Sequence, residues 1–178
     1  QDKFETIQDA YGYWRSEVMK FGIGKRLPTD LMGQRTGNLP DYSYFDKYYG
    51  KNGWKATTTR SLSVGQGEIE LTPLQMANVA AIFANRGYYF PPHIVTAIGK
   101  EKTKNVKFIN RIETGFPIDY FEEVIKGMEL VYEGEHGSAR YYKSKSITIC
   151  GKTGSSQNPH GDSHSVFIAF APVDDPQI

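Results

Sequence analysis

The sequence predicts a mixed α+β fold, with an antiparallel sheet flanked by helices. Three observations predict it. Apolar residues recur at steps of three and four over residues 2–21 and again over 118–132. A capped, alanine-rich helix is written between them at residues 72–84. Near the end, two apolar runs, residues 146–150 and 164–171, enclose a segment dense in turn formers, as in a hairpin.

Composition limits the rest. A chain of 178 residues with 39% hydrophobic content can bury its own core, and residues 1–178 suit one domain. The formal net charge of +1 removes any strong argument for nucleic acid or an acidic polymer as a partner. No apolar run approaches the roughly 20 residues needed to cross a bilayer, and no signal peptide opens the chain. The single cysteine, Cys150, excludes an intrachain disulfide, and its apolar setting predicts a buried thiol.

In chain order, Phe4, Ile7, Tyr11, Trp14, Val18 and Phe21 form an aromatic stripe on the first helix, which Gly22 and Gly24 end; the stripe reads as core packing. Residues 25–59 are expected to be irregular, punctuated by proline and glycine. Tyr42, Tyr44, Phe45, Tyr48, Tyr49 and Trp54 in that stretch argue that it packs on the body, because a disordered linker is poor in such residues. Gly65 and Gly67 flank Gln66 in a tight loop, which either aims an amide at a ligand or makes a bend for packing. Thr72 is the N-cap of the next helix, Pro73 its first residue, and Gln75 completes a capping box. The helix stops at Asn85-Arg86-Gly87. Residues 88–98 read as extended, 100–105 as a charged surface turn, and 106–112 as a further strand. Over 118–132, Ile118, Phe121, Val124, Ile125, Met128, Leu130 and Val131 face inward and the acidic residues outward. Ser138 reads as the cap of a short helix. A strand over Ser146-Ile147-Thr148-Ile149-Cys150 leads into the hairpin, which holds Lys152, Thr153 and Ser155 late on its first strand.

Gly151-Lys152-Thr153-Gly154-Ser155 is the stretch with chemistry. A phosphate loop is excluded, since Ser146 stands where that loop's first glycine belongs and Gly154 and Pro159 oppose a helix starting at the lysine. A lysine, two hydroxyls and a bare glycine on a strand edge instead suit a carboxylate, and Lys-Thr-Gly is also an element of penicillin-interacting serine enzymes. His160 and His164, with Asp162 between them, lack a firm third metal ligand, so no metal site is expected.

Several blocks together resemble the transpeptidase domain of class B penicillin-binding proteins. They are Lys20-Phe21-Gly22-Ile23-Gly24, Arg35-Thr36-Gly37-Asn38-Leu39-Pro40, Ser63-Val64-Gly65-Gln66-Gly67, Thr72-Pro73-Leu74-Gln75-Met76-Ala77, Ala84-Asn85-Arg86-Gly87, Lys152-Thr153-Gly154 and Ala169-Phe170-Ala171-Pro172. Their order is most similar to the penicillin-binding protein 2 branch, which serves cell-wall elongation. The chain holds no Ser-x-x-Lys, and its one Ser-x-Asn, Ser156-Gln157-Asn158, lies on the same strand as Lys-Thr-Gly and cannot form the opposite wall of a cleft. The resemblance therefore implies the later part of such a domain, without the nucleophile, the true Ser-x-Asn element and the last strand and helix. It implies an incomplete serine β-lactamase/transpeptidase-like fold. As site residues it implies Lys152 and Ser155 for catalysis, with Lys152, Thr153, Gly154 and Ser155 for substrate binding, and no cofactor. The implied ligands are peptidoglycan stem peptides and β-lactams; the implied partners are the cell-elongation machinery. The place is the periplasmic face of the inner membrane, held by an N-terminal helix outside this sequence. A β-lactam-sensing signalling domain of the same fold and a partner-binding module with a dead site are the rival readings.

Overall fold

The structure is a computed structural model that describes residues 3–102, 106–158 and 160–178. The mixed α+β class holds, with six α-helices and three two-stranded antiparallel ladders among the described residues. The chain divides into two compact units, the described parts of Gln1–Gln75 with Pro92–Thr103 and of Met76–Pro91 with Lys104–Ile178.

The first unit is built on aromatic packing. Helix α1 runs Ile7–Met19. It starts later than the periodicity predicts because the Thr6 hydroxyl accepts from the Asp9 amide and sets the helix start there. Phe4 stays outside α1, yet its ring lies 5.2 Å from that of Tyr13. The stretch expected to be irregular contains α2 (Tyr42–Tyr49), capped by the Asp41 carboxylate, and a single turn, α3 (Ala56–Thr59). Only some of its aromatics pack as expected: Phe45 and Trp54 join Tyr11 and Leu62 in one buried cluster with Tyr44 against it, while Tyr42, Tyr48 and Tyr49 are exposed. Tyr11 meets Phe45 and Trp54 edge-on, at interplanar angles of 80° and 85°. Each polar tip in the cluster is satisfied. The Tyr11 hydroxyl donates to Pro40 O at 2.7 Å, and Trp54 Nε1 donates to Asp46 Oδ1 at 2.7 Å. Burial pushes the Tyr11 phenol up to about 12.

Helix α4 (Pro73–Ala84) has the predicted capping box, with Thr72 N donating to Gln75 Oε1 at 2.9 Å and Gln75 N to Thr72 Oγ1 at 3.2 Å. The fully buried Gln75 amide does more than cap. Its Nε2 lies 3.1 Å from Gly22 O, 3.1 Å from Lys25 O and 2.8 Å from Thr36 O, and so binds three distant sequence blocks together. Strands β2 (Ala97–Ile98) and β3 (Glu101–Lys102) close a tight hairpin, which accounts for the described part of the charged turn; residues 103–105 lie outside the described residues.

In the second unit, β1 (Tyr88–Tyr89) pairs with β4 (Ile112–Glu113). The strand expected over residues 106–112 is corrected: Val106–Ile109 forms one helical turn, α5, which buries Phe108, and only Ile112–Glu113 is extended. Helix α6 (Ile118–Glu133) buries Phe121, Ile125, Met128 and Tyr132, while Ile118, Val124 and Leu130 are exposed, so its inner stripe is narrower than the apolar pattern suggests. Arg86, just past α4, lies within this unit and braces it. It donates to Glu122 Oε1 and to Val173 O, both at 3.0 Å.

The predicted hairpin is present as β5 (Cys150–Ser156) and β6 (His164–Phe170), paired from Cys150↔Phe170 to Ser156↔His164. The strand expected over residues 146–150 is corrected, since only Cys150 belongs to the ladder. Phe170 is the last residue of β6, and Pro172, which has no N–H to give, follows two positions on. Among the described residues, 146–149 therefore have no strand opposite them.

Candidate functional site

The Lys-Thr-Gly stretch sits on a strand that is pinned at one end and open at the other. At its base Cys150 is fully buried, with Sγ 3.7 Å from Ile125 O of α6, and its partner Phe170 is buried too. Burial pushes the Cys150 thiol up to about 11, so it is an inert anchor rather than a nucleophile. Along β5 burial then falls away: Gly151 is buried, Thr153 half-buried, and Lys152, Gly154 and Ser155 are exposed.

The two glycines are there for different reasons. A Cβ on Gly151 would stand 2.6 Å from Phe167 Cζ and 2.9 Å from Ile168 O. Glycine is needed there so that the Phe167 ring can cross the strand and meet Tyr132 of α6 edge-on, with centroids 5.8 Å apart. A Cβ on Gly154 would meet only Val166, at 3.8 Å, an ordinary contact. Among the described residues nothing requires glycine at that position, although a strand glycine costs about 0.5–1 kcal/mol relative to alanine. A bare backbone at an exposed strand position suits a molecule that approaches it closely.

Alternation along β5 places Thr153 and Ser155 on one face with Gly151, and Lys152 and Gly154 on the other. The site residues named from sequence thus lie on one strand but not on one face. Lys152 bends back to the strand, its Nζ donating to Thr153 O at 2.7 Å, and among the described residues no carboxylate pairs with it. Thr153 Oγ1 lies 2.8 Å from Ser138 Oγ. Reading the sequence misses this partner, because it assigns Ser138 to a helix cap. The turn that follows, Arg140–Tyr142, is a 3-10 helix that begins after Ala139 with no side-chain cap, and the Ser138 hydroxyl faces β5 instead. The only sign of this in the sequence is the run of small residues Gly137-Ser138-Ala139. Gly137 folds tightly against the end of α6, where a Cβ would come within 2.4 Å of Val131 O, and Ala139 N donates to Val131 O at 2.9 Å.

In the hairpin turn Asn158 Nδ2 lies 3.5 Å from His164 Nε2. Among the described residues no three of His, Cys, Asp and Glu gather closely enough to hold a metal ion.

Residues 7–178 match the model of the penicillin-binding protein transpeptidase domain. The chain belongs to this family. It is 29% identical over 186 residues to the peptidoglycan D,D-transpeptidase MrdA of Acinetobacter baumannii, an alignment covering 96% of this chain and 27% of that protein. It is also 29% identical over 180 residues to MrdA of Escherichia coli K12, covering 89% of this chain and 28% of that protein. The chain therefore spans little more than a quarter of the length of these relatives. Among solved structures it resembles Pseudomonas aeruginosa PBP2 in complex with WCK 5153, with a TM-score of 0.80, 27% identity, and coverage of 96% of this chain and 39% of that one. Helicobacter pylori PBP2, solved in complex with MreC, shares the transpeptidase fold at a TM-score of 0.77 and 24% identity, covering 93% of this chain and 30% of that one.

Proposed function

We propose that this chain is the later part of a peptidoglycan D,D-transpeptidase and that β5 is one wall of its active site. The observation that carries the reading is Gly154: a glycine that internal packing does not need, on an exposed strand, in the family's own Lys-Thr-Gly motif. The whole enzyme would take the D-Ala-D-Ala end of a stem peptide, form an acyl-serine, release D-alanine and pass the acyl group to an amine of another strand. The serine nucleophile belongs to a Ser-x-x-Lys segment that this sequence does not contain.

Lys152 supplies positive charge beside the nucleophile and assists proton transfer, a contribution typically worth about 10²–10⁴ in rate. Thr153 and Ser155 share a face of β5, and their hydroxyls donate to the peptide's terminal carboxylate in charge-assisted hydrogen bonds. The Ser155 N–H serves as one donor of the oxyanion hole. β-Lactams, which carry both an acylating carbonyl and a carboxylate, occupy the same wall. The work belongs to the periplasmic face of the inner membrane and to the elongation machinery. No described helix is long and apolar enough to cross a membrane, and the reading places the anchoring helix outside this sequence.

The test is acylation of the full-length enzyme by a fluorescent penicillin. Lys152→Ala should lower the acylation rate by about 10² or more and leave the circular dichroism spectrum unchanged. Near-wild-type acylation in a folded Lys152→Ala enzyme would take Lys152 out of the mechanism.

A further inference from the structure

Thr153 does not face its ligand alone. Its Oγ1 is 2.8 Å from Ser138 Oγ, and in such a pair one hydroxyl donates while the other accepts. An ionised carboxylate only accepts, so Thr153 can bind one only by turning its own proton outward. Its oxygen is then left to accept, and the Ser138 proton is the donor at hand. The main chain holds this arrangement from both sides. Ser138 lies between buried Gly137 and buried Ala139, whose N–H is bonded to Val131 O at the end of α6, while Thr153 is paired across the ladder with Phe167.

We infer that Ser138 is a positioning residue for carboxylate recognition, donating to Thr153 Oγ1 and so turning the Thr153 proton toward the terminal carboxylate of a bound peptide or β-lactam. The inference rests on the reading of β5 as the carboxylate wall. A relay of this kind strengthens the outer hydrogen bond by polarising it. It also spares the ligand the cost of orienting a free hydroxyl. Ser138 is exposed, so water competes for its partner and the effect is modest. A mere structural tie between the α6 turn and β5 would act on every ligand alike, whereas a proton-orienting bond acts only on ligands that carry the charge.

The experiment measures acylation of the full-length enzyme by benzylpenicillin and by its methyl ester, in which the carboxylate is masked. Ser138→Ala should slow acylation by the free acid about threefold to tenfold, the range of one net hydrogen bond, and leave the ester rate unchanged. Threonine and valine have nearly the same shape, so Ser138→Thr should retain the free-acid rate while Ser138→Val loses it, which separates the hydroxyl from packing. In a Thr153→Ala background, Ser138→Ala should cost nothing more. The inference is overturned if the free-acid rate survives Ser138→Ala, if acid and ester slow equally, or if the Thr and Val variants behave alike. If Thr153→Ala leaves the preference for acid over ester intact, the carboxylate-wall reading itself fails and this inference with it. If Thr153→Ala abolishes the preference and Ser138→Ala does not, only the role of Ser138 falls.

Discussion

Cys150 shows how one residue can serve a site without touching chemistry. It sits two positions before Lys152, fully buried, and its thiol is held up to about 11 by burial. Only the thiolate attacks, so a thiol that burial both holds protonated and shields from solvent reacts more slowly in the native protein than in the unfolded chain. A thiol reagent at pH 8 should therefore label the folded chain slowly and the denatured chain at once. Equal rates in the two states would show that the base of β5 is open. From sequence alone Cys150 reads correctly as a buried thiol, since its neighbours Ile149 and Gly151 are apolar. Ser138 does not read correctly, because its partner Thr153 is fifteen residues away and no local pattern points there.

Among the elements, α2 departs most from expectation. Its eight residues include four tyrosines and a phenylalanine, a poor helix composition on propensity, and tertiary burial of Phe45 with the Asp41 cap overrides that. Asp41 accepts from the amides of Ser43 and Tyr44 and from the Ser43 hydroxyl. The Ser43 hydroxyl bond, the largest influence, holds the carboxyl below its ordinary 3.8. A depressed acid favours the folded state when ionised, so the cap contributes fully above pH 3.8 and its contribution is lost as pH falls through the lower folded value. Asp41→Ala should destabilise the fold by about 1 kcal/mol at neutral pH and by less in acid. Thermal melts at pH 7 and pH 3 would measure both, and an equal loss at the two pH values would contradict the assignment.

For the molecule as a whole, the 178-residue chain itself should give no labelled band with a fluorescent penicillin on a denaturing gel, because it contains no Ser-x-x-Lys serine to acylate. Covalent labelling would show that a different residue acts as nucleophile. What the sequence by itself determined is whatever is encoded within a few residues: the Thr72–Gln75 capping box, the stop after Ala84, the presence of helix α6, the 150–170 hairpin and the order of the family blocks. Caps, periodicity and turns are short-range interactions, so short stretches carry them completely. Where β5 begins, which carbonyls Gln75 holds, and that Ser138 meets Thr153 were decided only by tertiary structure. Residues 146–149 are as β-branched as any strand, yet a strand exists only where a partner offers its N–H and C=O groups, and β6 ends at Phe170. Gln75 reaches carbonyls 39 to 53 residues distant. Such pairings depend on which backbone groups folding brings within hydrogen-bond distance, and that is a property of the packed chain rather than of any segment of it.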